Sequence, residues 1–138
     1  MRVRRGARIA PHHCRVEEAA DKTVLLVEDQ SAVRELVRLE LERQGHTVLQ
    51  ASEPAEALAL ATINARTIDL VVTDVLFERG SGLALVEDLL ERGLDLPVLY
   101  LSGLSEPPGD FPGSRTLFLE KPFDLSQLEW AVVQLIAH

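Results

Sequence analysis

Apolar residues recur along this chain in two alternating rhythms: short unbroken runs, and longer stretches at helical spacing. "TVLLVED" (23–29) is apolar and β-rich until it ends in two acids. Residues 31–44 then place Val33, Leu36, Val37 and Leu41 three and four apart, the spacing of one helix face, and Gly45 supplies a stop. "HTVLQA" (46–51) predicts a second strand. Ser52 and Pro54 open "PAEALALATIN" (54–64), where a capping residue and an early proline predict a helix start. "IDLVVTDV" (68–75) predicts the third strand. Residues 81–92 predict a third helix with Leu83, Val86, Leu89 and Leu90 inward and Gly93 behind it. "PVLYLS" (97–102) and "TLFLEKP" (116–122) predict strands four and five. Asp124 caps a last helix whose Leu128, Val132, Leu135 and Ile136 share a face.

Strand and helix alternate along the whole body, which implies an α/β domain: a parallel sheet with helices on both faces. Strands covered on both sides read as continuous apolar runs, as these do. One region breaks the rhythm. "GLSEPPGDFPGSR" (103–115) holds three prolines and three glycines, so the fourth helix is expected to be short or missing.

Ligands in such sheets sit beyond the carboxyl ends of the strands, where strand order reverses. Four strand ends carry polar groups: Glu28 and Asp29, then Asp74, then Ser102, then Lys121 followed by Pro122. Three carboxylates brought together would repel one another. A hard divalent cation with oxygen ligands, most simply Mg2+ with Mn2+ as a substitute, resolves that repulsion. Lys121 offers a point charge for a phosphate oxygen and Ser102 a hydroxyl donor. These are the parts of a site for in-line phosphoryl transfer, with a carboxylate as its own nucleophile. Each part has a plainer reading alone. An acid pair after a strand is often a helix cap, a lone aspartate a turn residue, and Lys-Pro a common strand exit. The order of all four at successive strand ends is the specific signal.

On "VLLVEDQ", "LVVTD", "VLYLSG" and "LFLEKPF", residues 22–138 resemble a response-regulator receiver domain, the phosphoacceptor module of two-component signalling and phosphorelays. The resemblance implies a flavodoxin-like sheet with strand order 2-1-3-4-5. It implies that Asp74 is phosphorylated from a phosphohistidine on a histidine kinase or histidine phosphotransfer protein. Asp29 would bind Mg2+ directly, Glu28 through water or in support, and the backbone carbonyl of Leu76 would be a further ligand. Lys121 would hold a phosphoryl oxygen, and Ser102 would shift to hydrogen-bond the phosphoryl group. Phe118 matches the aromatic switch position that turns inward when Ser102 moves. The chain departs from the family in four places. Glu78 stands where a proline is usual, Gly103 where alanine is common, Phe118 lacks a hydroxyl, and residues 103–115 replace a regular helix on the usual partner-binding face.

Charge narrows the partners. The net charge is −8 over 138 residues, but residues 1–20 carry five arginines and two glutamates, a balance of +3 that leaves −11 for the rest. An acidic body argues against nucleic acid as a direct partner. Residues 1–21 show no period and are expected to be a disordered basic extension. His12, His13 and Cys14 lack a fourth ligand for a metal. One cysteine excludes an intrachain disulfide and fits a cytoplasmic setting. No apolar run approaches the roughly 18–20 residues of a membrane span. No output domain is expected after the last helix, so signalling passes through contact with a downstream protein, from a stand-alone receiver or a segment of a hybrid kinase. Two other functions compete. A Mg2+-dependent aspartyl-phosphate phosphatase of the haloacid dehalogenase type needs a second aspartate where Leu76 stands. A degenerate receiver would serve only as a passive binding module.

Overall fold

The computed structural model describes residues 21–103 and 111–136. The basic N-terminal extension, with His12, His13 and Cys14, lies outside the described residues, as do 104–110 of the proline-rich segment and 137–138. The elements run β1 (Thr23–Val27), α1 (Ser31–Arg43), β2 (Thr47–Ala51), α2 (Pro54–Ile63), β3 (Leu70–Asp74), α3 (Gly82–Glu91), β4 (Val98–Ser102), β5 (Thr116–Glu120) and α4 (Leu125–Ile136). All strand pairs are parallel, in the order β2-β1-β3-β4-β5. This is the flavodoxin-like order expected from the sequence. Among the described residues four helices are present, and 111–115 form none.

Successive strand side chains point to opposite faces, so the apolar runs divide between two cores. Val24, Leu26, Leu70, Val72, Leu99, Leu101, Leu117 and Leu119 pack under α1 and α4. Leu25, Val27, Val71, Val98, Tyr100 and Phe118 pack under α2 and α3. Phe111 completes that second core from the irregular segment, 4.5 Å from the Tyr100 ring and 5.5 Å from the Phe118 ring, centroid to centroid. The Tyr100 hydroxyl donates to the Pro112 carbonyl at 2.8 Å, which satisfies the one polar atom of that ring.

Side-chain caps set the starts of α3 and α4 but not those of α1 and α2. The Ser81 hydroxyl accepts from the Leu83 and Ala84 amides, and Asp124 Oδ1 accepts from the Gln127 amide. Ser52 does not cap α2: its amide and hydroxyl both donate to Glu56 Oε1, and the helix starts at Pro54. The buried face of α1 also differs from the one expected. Leu36 is 48% exposed, while Glu40 and Gln44 are buried beside Val37 and Leu41. Glu40 tolerates this because Arg43 and Gln44 both donate to its carboxylate.

Chain order reverses between β1 and β3: the connection from β1 goes to β2 on one side, and β3 returns on the other. The carboxyl ends of β1 and β3 therefore flank a crevice.

Candidate functional site

The crevice holds about 460 Å³ and is lined by Asp29, Asp74, Leu76, Ser102 and Lys121 among others. Asp74, the last residue of β3, is only 4% exposed. Its main chain is fixed from two sides. The Thr73 hydroxyl donates to the Asp74 carbonyl at 3.0 Å, and the Val75 amide donates to the Leu101 carbonyl. The following loop folds back so that the Gly82 amide donates to the Val75 carbonyl at 2.8 Å. A Cβ on Gly82 would stand 1.9 Å from the Asp74 carbonyl oxygen, so only glycine fits this approach.

Glu28 continues β1, and no part of it is exposed. Its Oε1 accepts from Lys121 Nζ at 3.0 Å and its Oε2 from the Gln30 amide at 3.0 Å. Its amide donates to the Ala51 carbonyl, and its own carbonyl accepts from Arg34 Nη1 at 2.7 Å. Asp29 beside it is exposed. One carboxylate oxygen from each of Glu28, Asp29 and Asp74 lies within 4.8 Å of the others. Lys121 Nζ also stands 2.7 Å from Asp74 Oδ1, so the same ammonium is ion-paired to both buried carboxylates.

The electrostatics follow from this crowding. Burial pushes the Asp74 carboxyl up to about 8, and Glu28 adds to the rise, while Lys121 opposes it. For Lys121 burial alone would lower the value, but Asp74 and Glu28 outweigh it and raise the ammonium above its ordinary range. One lysine thus serves two buried carboxylates.

Ser102 ends β4, is buried, and lines the same crevice; the Lys121 amide donates to its carbonyl at 2.6 Å. Lys121 follows β5 directly, and the Lys121–Pro122 peptide is cis. Phe118 does not line the crevice. It already faces inward, 2% exposed, because Phe111 and Tyr100 supply an apolar seat for its ring. Leu76 lines the crevice with its residue 64% exposed. The structure thus brings Glu28, Asp29, Asp74, Leu76, Ser102 and Lys121 to one place and sets Phe118 behind it. Sequence reasoning missed Thr73 and Arg34. Arg34 sits one turn into α1, where helical side chains lean back toward the amino end, and that lean is the signal that could have found it.

Residues 24–133 match the family profile of the response regulator receiver domain. The chain belongs to this family. As a receiver it is 34% identical to the sensor kinase CckA of Brucella abortus over 140 residues, covering 94% of this chain and 14% of that protein. It is 37% identical to the response regulator MprA of a Mycobacterium species over 108 residues, covering 76% of this chain and 46% of the other. The receiver therefore spans less than half the length of these relatives. Among solved structures, the receiver domain of a hybrid histidine kinase CckA superposes with a TM-score of 0.72 at 34% identity, covering 83% of this chain and 98% of that one. The chemotaxis protein CheY4 of Vibrio cholerae superposes with a TM-score of 0.75 at 26% identity, covering 84% and 99%. Among the described residues no helix of this receiver is long and apolar enough to cross a membrane.

Proposed function

We propose that this receiver accepts a phosphoryl group on Asp74 from a phosphohistidine carried by a histidine kinase or histidine phosphotransfer protein. A carboxylate oxygen of Asp74 bonds to phosphorus. The bond from phosphorus to the imidazole nitrogen breaks, its electron pair stays on the ring, and that nitrogen takes up a proton. The reaction needs positioning and charge neutralisation more than acid–base chemistry. Lys121 neutralises a phosphoryl oxygen, which requires it to leave part of its present pairing with Asp74. Ser102 donates its hydroxyl to another phosphoryl oxygen.

The observation that carries this reading is the oxygen cluster of Glu28, Asp29 and Asp74 within 4.8 Å, with one exposed member. That donor set fits a small hard cation. Asp29, Asp74 and the Leu76 carbonyl would hold Mg2+, or Mn2+ in its place. Both Glu28 oxygens already accept hydrogen bonds, which favours a supporting role for Glu28 over direct ligation. When bound, the ion neutralises charge between the carboxylates and the incoming phosphoryl group. The phosphorylated form would signal through contact with a downstream protein partner.

Incubation with acetyl phosphate and Mg2+, followed by mass spectrometry, tests this. The expected result is the mass of one added phosphoryl group on Asp74, absent in D74N. Rapid turnover of an added phosphomonoester would instead make the protein a phosphatase. Neither labelling nor turnover would leave a passive binding module.

A further inference from the structure

We infer that Arg34 is a positioning residue for the acidic crevice, acting on Asp29 through the Glu28 main chain; this rests on the phosphoacceptor reading above. The Glu28 carbonyl belongs to the peptide that joins Glu28 to Asp29. The orientation of that peptide plane decides where the Asp29 carboxylate stands. Arg34 Nη1 fixes the plane with a 2.7 Å charge-assisted hydrogen bond, among the stronger kinds available to a backbone carbonyl. The other polar groups of Glu28 are tied as well: its amide to the Ala51 carbonyl, Oε1 to Lys121 and Oε2 to the Gln30 amide. Asp29 is exposed and depends on this frame for its place. The Arg34 amide itself donates to the Gln30 carbonyl at 2.9 Å, so the first turn of α1 fixes the backbone from which the guanidinium reaches its acceptor.

Arg38, one turn further along α1, is the contrast. Its guanidinium is spent on Glu35 and Glu42, both surface carboxylates of the same helix. It braces the helix and reaches nothing in the crevice.

Charge and positioning predict opposite signs for Arg34. A cation beside a metal site repels the metal, so if its charge mattered most, removing it would tighten Mg2+ binding. If its hydrogen bond matters most, removing it frees the Asp29 peptide and weakens binding. Outer groups that orient metal ligands typically matter by about 10–100-fold in affinity.

The test compares the full chain with R34M, R34A, R34K and R38M. Mg2+ affinity is measured by calorimetry, acetyl-phosphate labelling is followed across Mg2+ concentrations, and backbone amide signals are mapped without metal. Positioning predicts that R34M, which keeps the aliphatic stem, and R34A both bind Mg2+ about 10-fold more weakly. Their labelling rates return to within about 2-fold of the parent at saturating Mg2+, a shift in the metal requirement and not in the chemical step. R34K, which keeps a donor, recovers most of the affinity, and R38M is unchanged. Metal-free amide shifts in R34M cluster at residues 28–30. Unchanged or tighter Mg2+ binding in R34M, or shifts spread evenly over the sheet, overturns the inference. If the unmodified chain neither binds Mg2+ nor is labelled, the phosphoacceptor reading fails instead.

Discussion

At the amino end of the sheet polar side chains meet backbone donors, whereas at the carboxyl end two buried carboxylates share one ammonium. Asp69, before β3, accepts the Thr23 amide at 2.9 Å and so caps β1. His46, before β2, is 5% exposed and its Nδ1 accepts the Lys22 amide at 3.4 Å. These groups close the frame. At the other end Glu28 and Asp74 crowd around Lys121, and its one ammonium must serve both. The same residue type thus has opposite consequences for stability at the two ends. An aspartate that satisfies a backbone donor stabilises; one held beside another buried acid costs stability.

The largest expected effect is the D74N pair of outcomes. Labelling by acetyl phosphate should vanish, while urea unfolding without metal should show D74N more stable by about 1 kcal/mol. A destabilised D74N would break the contrast between the two ends. G82A should come next. Its new methyl group meets the Asp74 carbonyl, so the strand end must shift, at a cost of about 3 kcal/mol in unfolding free energy together with slower labelling. K121M should slow labelling about 100-fold at saturating Mg2+, since it removes the charge proposed to meet a phosphoryl oxygen. At the amino end D69A should cost about 1–2 kcal/mol in the same unfolding assay and leave the labelling rate unchanged.

The pH dependence is a separate test, and its sign differs between the ends. Asp74 is raised from an ordinary 3.8 to about 8, so across that window the folded state holds a proton that the unfolded chain has released. Stability from this group therefore falls as pH rises from about 4 to 8. His46 is held below its ordinary 6.5, first by burial and also by Lys22, although Asp21 and Asp69 oppose this. There the unfolded chain binds the extra proton, so stability falls as pH drops through 6.5. Unfolding curves in metal-free buffer at pH 5 and pH 8 should lose the first slope in D74N and the second in H46Q. Identical slopes in both variants would remove the distinction.

Much of this architecture is legible in the sequence because the strands are covered on both faces, so their apolar runs stand out and their polar ends mark the crevice. Glu28, Asp74, Ser102 and Lys121 can be located from the ends of those runs alone. Legibility fails where a face is decided by tertiary pairing. Leu36 fits the helical spacing, yet the buried stripe of α1 passes through Glu40 and Gln44 because Arg43 satisfies the acid there. It fails again at Phe111. A proline- and glycine-rich stretch reads as surface loop, and a single aromatic in it carries no period, though it fills the core over β4 and β5. Arg34 was hidden for a third reason: its acceptor is a backbone carbonyl, which has no letter in the sequence.

The missing side chain at Gly82 also has a mechanical meaning. With no methyl group between them, the first residue of α3 rests directly on the main chain of the residue expected to carry phosphate. A joint without padding has no play. A displacement of the Asp74 backbone would therefore press directly on α3, which packs against α2.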